Sequence, residues 1–144
     1  MKKAKDLMPE LVNISNFVDC DISSLHLDSR EVKEGGLFFA VKGTNQNGID
    51  FIEEAKLKGA KLIISEELVE NSSVIHCSNL KELLGKFTSR FYSNPSEELT
   101  TFCVTGTNGK TTAVEAYSSI CSGIGKQCGY LSTNGKSIDG ITVK

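Results

Sequence analysis

The chain has 144 residues, 39% of them hydrophobic and 24% charged, a balance that suits a folded globular protein and excludes a disordered or membrane-embedded one. Its 16 basic and 18 acidic residues leave a formal charge of −2, which excludes a broad basic footprint for nucleic acid or for an anionic membrane. Any anion has to be held locally.

The opening Met1-Lys2-Lys3-Ala4-Lys5-Asp6 is basic but runs into Leu7-Met8-Pro9-Glu10 without the apolar run and cleavage site of a signal peptide. No stretch of 18 apolar residues follows, so a cytoplasmic location is expected. Residues 4–12 read as a short helix. Leu25 to Leu27 begin a segment that ends in the polar turn Asp28-Ser29-Arg30. After Gly35-Gly36, the run Leu37-Phe38-Phe39-Ala40-Val41 suits a buried strand. The turn formers Gly43-Thr44-Asn45-Gln46-Asn47-Gly48 predict a loop, and Ile52, Ala55 and Leu57 predict a one-faced helix ending at Gly59. Residues 61–65 and 74–76 read as strands. Leu80, Leu83, Leu84, Phe87 and Phe91 recur at helical intervals over 80–92.

The polar, proline-bearing run Ser93-Asn94-Pro95-Ser96-Glu97-Glu98 is the best domain boundary, giving one domain at 1–94 and the start of a second at 99–144. In the second, residues 101–105 are rich in β formers, a glycine-bearing turn follows, a helix is predicted over 110–122, and 129–132 read as another strand. Strand, loop, helix and strand in that order are the opening of a parallel α/β sheet. Cys20, Cys77, Cys103, Cys121 and Cys128 are odd in number and include no Cys-x-x-Cys pair, so reduced, mostly core-filling thiols are expected rather than disulfides or zinc. His26 and His76 are too isolated to suggest a metal.

The strongest chemical signal is Gly106-Thr107-Asn108-Gly109-Lys110-Thr111-Thr112, which follows a predicted strand and opens a predicted helix. The first amides of a helix lack internal partners and carry the positive end of its dipole, so a glycine loop that turns them inward forms an anion cradle. Lys110 adds a charge for the β and γ phosphates, and the Thr111 hydroxyl is placed to ligate Mg²⁺. ATP with Mg²⁺ is the ligand this reading expects, bound by residues 106–112. The alternative is that the glycines merely serve a tight turn. The loop is shorter than the general Gly-x-x-x-x-Gly-Lys-Ser/Thr pattern.

Thr105-Gly106-Thr107-Asn108-Gly109-Lys110-Thr111-Thr112 resembles the form this loop takes in the Mur ligases. A second set resembles the N-terminal domain of the same family: Asp28-Ser29-Arg30, Val32, Gly36-Leu37-Phe38-Phe39-Ala40, Lys42-Gly43 and Gly48-Ile49-Asp50-Phe51-Ile52, continued by Ala55, Gly59-Ala60 and Ile63-Ile64. Together the two sets cover nearly the whole chain. The combination is most similar to the MurE type, which adds the third amino acid to UDP-MurNAc-L-Ala-D-Glu, with the MurF type as the close relative.

The resemblance implies an α/β fold: a small domain that binds the UDP end of the substrate, then the first strand, phosphate loop, helix and strand of a parallel-sheet ATP-binding domain. It implies substrate contacts at Leu27, Ser29, Thr44, Asn45 and Gln46, a catalytic role for Lys110 on the transferring phosphoryl group, and Thr111 as metal ligand. UDP-MurNAc-dipeptide is the implied partner, with no nucleic acid and no membrane. Two structural readings stand beside these: Asp28 and Arg30 as an ion pair with Ser29 capping a turn, and the 44–46 loop as one whose contacts are replaced.

The family reaction couples ATP to amide formation through an acyl phosphate. The resemblance implies that its remaining acidic and histidine metal ligands, its modified lysine and its amino-acid-selecting domain would lie beyond Lys144, so this stretch is expected to be inactive by itself. Residues after about 98 are expected to be poorly stable alone, or protected by self-association, because a two-strand parallel sheet leaves edges and an apolar face uncovered. A non-catalytic UDP-sugar-binding module and an unrelated phosphate-loop NTPase remain as alternatives.

Overall fold

A computed structural model describes residues 1–44, 46–138 and 141–143, with the side chains of Thr142 and Val143 left out. It divides into two compact units, Met1–Leu99 and Thr100–Lys144, each described by itself.

In the first unit, β1 (Lys2–Lys3) leads into α1 (Ala4–Leu7), and β2 (Asp21–Ile22) pairs antiparallel with β1. The helix expected over 4–12 is broken. Pro9 cannot donate a backbone hydrogen bond, so α1 stops at Leu7 and Pro9–Leu11 form a separate 3-10 turn. Four parallel strands then lie side by side in chain order: β3 (Leu25–His26), β4 (Gly36–Ala40), β5 (Ala60–Ser65) and β6 (Val74–His76). Between β4 and β5 runs α2 (Ile52–Leu57), and after β6 runs α3 (Leu80–Phe91).

Every residue of β4 is buried, which explains its unbroken apolar character: a parallel strand covered on both faces needs no polar alternation. Because successive side chains point to opposite faces, Leu37 and Phe39 join one core with Leu62, Ile64, α1 and α3. Phe38 and Ala40 join the other with Ile63, Val74 and α2. Phe39 stacks on Phe87 of α3, with ring centroids 6.5 Å apart. Leu57 was expected on the inner face of α2 and instead is 88% exposed. At 100° per residue it points well away from the Ile52 and Ala55 stripe, which is the face that packs.

In the second unit, α4 (Lys110–Gly123) is followed by β7 (Gly129–Ser132), β8 (Gly135–Ile138) and β9 (Ile141–Val143), which pair antiparallel in the order β7-β8-β9. Two details of the expected strand–loop–helix–strand unit differ. Residues 101–105 form no strand, because no described segment pairs with them and a β-rich run without a partner ladder gains nothing from extension. The strand at 129–132 is present but pairs with β8 across the two-residue turn Thr133-Asn134. That closure is local, whereas parallel pairing requires a long crossover. Phe102 stacks on Tyr117 of α4 at 4.7 Å between centroids. Of the five cysteines, which are all free, only Cys20 and Cys77 are buried, so core filling holds for those two.

Candidate functional site

The α4 N-terminus begins at Gly109, whose φ of +78° lies in the left-handed region that glycine tolerates and bulkier residues resist. A Cβ there would meet no atom within 4 Å, so the glycine is required by backbone conformation rather than by crowding. Gly106 also has a positive φ, +146°, and with Gly109 it folds residues 106–109 into a tight turn. Among the described residues no side chain caps the helix. The first helical amides are therefore left for another acceptor, at the positive end of the α4 dipole.

Lys110 lies over this turn. Its Nζ donates to the Gly106 carbonyl at 2.7 Å and to the Thr107 carbonyl at 3.4 Å, and among the described residues it forms no ion pair with a carboxylate. The Thr111 Oγ1 lies 3.3 Å from Thr133 Oγ1. Asn134, next in the β7–β8 turn, donates from Nδ2 to Glu115 Oε1 at 3.2 Å. Thr133 and Asn134 were missed by the sequence reading. Residues 106–112 thus form one continuous bend and helix start, exposed except for half-buried Thr111, with unspent amides and an ammonium. Among the described residues no group of three His, Cys, Asp or Glu could hold a metal, so a cation here would depend on the Thr111 hydroxyl and on phosphate oxygens.

In the first unit, the carboxyl ends of β3, β4 and β5 share one edge of the parallel sheet, where ligands of open α/β sheets bind. β3 runs out into Leu27 and the Asp28–Arg30 turn, β4 into the 42–48 loop, and β5 into Glu66 and Glu67. Leu27 is 62% exposed. Ser29 is buried, and its hydroxyl donates to Glu54 Oε2 of α2. With the residue buried, its hydroxyl proton is committed to that carboxylate. Glu54 also accepts from Lys58 Nζ at 2.9 Å, and Lys58 Nζ donates to the Arg30 carbonyl at 3.1 Å, so α2 ties down the whole turn. These bonds, that from Ser29 foremost, hold the Glu54 carboxyl below its usual range.

Asp28 accepts from the Arg30 backbone N at 2.9 Å and from its guanidinium Nη2 at 2.6 Å. The Arg30 side chain lowers the Asp28 pKa to about 2. Nearby, His26 Nε2 lies 2.7 Å from Ser24 Oγ, and burial pushes its pKa down.

In the 42–48 loop, Thr44 and Gln46 are exposed, and the Gln46 carbonyl accepts from Gly43 N at 3.0 Å. Asn45 lies outside the described residues. Gly48 is required by close approach, since a Cβ there would sit 2.5 Å from Val41 N.

A family model described as Mur ligase family, catalytic domain, matches residues 21–92. The chain is similar to the UDP-N-acetylmuramoyl-L-alanyl-D-glutamate--2,6-diaminopimelate ligase of Cytophaga hutchinsonii, 38% identical over 136 residues that make up 90% of this chain and 28% of that protein. It is also similar to the ligase of the same name from Halalkalibacterium halodurans, 40% identical over 114 residues, 78% of this chain and 24% of that one. Among solved structures, one of a UDP-N-acetylmuramoyl-L-alanyl-D-glutamate--2,6-diaminopimelate ligase matches with a TM-score of 0.72 and 26% identity, covering 94% of this chain and 29% of that one. MurF ligase from Thermotoga maritima in complex with ADP matches with a TM-score of 0.54 and 33% identity, covering 69% of this chain and 23% of that one. The chain therefore spans under a third of the length of these relatives. No helix among the described residues is long and apolar enough to cross a membrane.

Proposed function

Because this chain belongs to the Mur ligase family, we propose that it carries two binding elements of a ligase that adds the third amino acid to UDP-MurNAc-L-Ala-D-Glu. Its first unit grips the nucleotide end of that precursor, and its second holds ATP. The relatives named for 2,6-diaminopimelate favour that amino acid over L-lysine.

The observation that carries this reading is the turn at 106–109, with uncapped helix amides and Lys110 folded over it. Its features fit a triphosphate: two positive-φ glycines, a helix N-terminus and a lysine bonded, among the described residues, to loop carbonyls that phosphate oxygens can replace. Mg-ATP, when bound, supplies the phosphoryl group that activates a carboxylate for amide formation. The amides of residues 107–112 bind and orient the phosphates. Lys110 places positive charge beside the phosphoryl group, where such stabilisation is mainly electrostatic. Thr111 offers a hydroxyl to the metal.

In the first unit, exposed Leu27 and the Ser29 turn would meet the uridine, and Thr44, Asn45 and Gln46 the diphosphate. Neither contact needs net positive charge, because turn amides and hydroxyls bond both groups.

Calorimetric titration of the chain with UDP-MurNAc-L-Ala-D-Glu and, separately, with Mg-ATP tests the assignment. Independent saturable binding of both is expected. Binding of the precursor without ATP would reduce the chain to a nucleotide-sugar module, and binding of ATP alone would remove the ligase reading of the first unit.

A further inference from the structure

Thr44 and Gln46 stand on a loop of small, polar, turn-forming residues, the kind of segment that loses most conformational freedom when it is ordered around a ligand. Its two ends, Lys42 and Asn47, are joined by a single antiparallel bridge. Both side chains reach one residue at the end of the neighbouring strand. Glu67 Oε1 lies 2.9 Å from Lys42 Nζ, and Glu67 Oε2 accepts from Asn47 Nδ2 at 2.9 Å. Each oxygen of one carboxylate thus holds one end of the loop.

Glu67 is itself aimed. Its backbone N donates to the Oγ of fully buried Ser65 at 3.2 Å, which fixes the turn by which β5 ends. The preceding Glu66 accepts from Lys42 N at 3.1 Å and pairs with Lys81 Nζ at 3.2 Å, securing the same end a second time.

We propose that Glu67 is a positioning residue for the loop carrying Thr44 and Gln46, pre-ordering it for the diphosphate of a UDP-linked substrate, a role that rests on the substrate reading above. Both Glu67 oxygens are taken up by Lys42 and Asn47, so its role is to hold the loop. A bare carboxylate beside a diphosphate would repel it, but here Lys42 neutralises the charge. The bonds from Lys42 and Asn47 also keep Glu67 ionised, by lowering its pKa from the ordinary carboxylate range. Since the Glu67 side chain is one-third exposed, truncating it opens no core cavity and leaves the sheet intact.

The experiment uses the whole chain, with UDP as probe and the amide signals of Gly43 and Gly48 as a site-specific readout. Glu67→Ala is expected to weaken UDP binding at those signals about tenfold and to speed their hydrogen exchange by a similar factor, with the melting temperature unchanged. Glu67→Gln, which keeps an acceptor for Asn47, should recover binding to within about threefold, and Glu70→Ala, which removes an exposed carboxylate three residues on, should do nothing. Normal affinity and exchange in Glu67→Ala, with UDP binding intact in the unaltered chain, would overturn the role of Glu67 alone. No UDP-induced shift at Gly43 or Gly48 in the unaltered chain would overturn the substrate reading and this role with it.

Discussion

The side-chain nitrogen of Lys110 lies 2.7 Å from the carbonyl oxygen of Gly106, so the one cation of the 106–112 loop is folded onto the loop and, among the described residues, is not spent on a carboxylate. Such a bond is exchangeable: a phosphate oxygen is a stronger acceptor than a carbonyl for an ammonium group. Lys110→Ala should therefore lower ATP affinity by about tenfold or more while changing stability by no more than about 0.5 kcal/mol, because the residue is exposed. Parallel ATP titration and urea denaturation of the variant check both halves.

Gly109→Ala acts through the backbone. With φ at +78° and open space around the Cβ position, the substitution meets no clash but must hold an L residue in a left-handed conformation, at a cost of roughly 1–2 kcal/mol. Faster hydrogen exchange in the first turn of α4 should report it, and Gly109→Asn should be milder, since asparagine tolerates that conformation.

Acid titration has a defined sign at the Asp28–Arg30 turn. The Asp28 pKa is lowered from 3.8 to about 2, so its contribution to the fold is fully present above the ordinary value and is lost as the pH falls through about 2. Both side chains face water, which keeps the effect on stability small. Carboxyl-carbon NMR should find Asp28 titrating near pH 2, and in Arg30→Ala its midpoint should return towards 3.8.

The first unit should be sensitive at Phe39 and indifferent at Leu57. Phe39 is buried against Phe87, so Phe39→Ala is expected to cost about 3–5 kcal/mol in urea denaturation. Leu57→Ala, on a helix face turned to water, should stay within about 0.5 kcal/mol of the parent.

What could be read in advance follows from how local each cause is. β4 was legible because a strand covered on both faces is apolar throughout, β5 because its buried Leu62-Ile63-Ile64 run is, and α3 because Leu80, Leu83 and Phe87 repeat at the helical period. The pairings β1–β2 and β3–β4 rest on β1, β2 and β3, each of two residues and too short to leave a pattern. Residues 101–105 have strand propensity, but a strand also needs a partner, which propensity does not supply. The hairpin after β7 carries a local signal in the turn formers Asn134 and Gly135, which close the Thr133-Asn134 turn. At the candidate site, the glycines, Lys110 and Thr111 were legible because one turn and one helix end contain all of that chemistry. Glu54, Glu67 and Thr133 were not, since each reaches its partner from 20 or more residues away.

Amide NMR of the chain during addition of Mg-ATP, with AMP as comparison, asks directly whether residues 106–112 hold the terminal phosphates of a nucleotide. Saturable shifts concentrated at Thr107 to Thr112, with AMP binding at least about tenfold more weakly because it lacks the β and γ phosphates, are the expected result. Amide signals at those positions that stay still at millimolar Mg-ATP, or that respond equally to AMP, would contradict it.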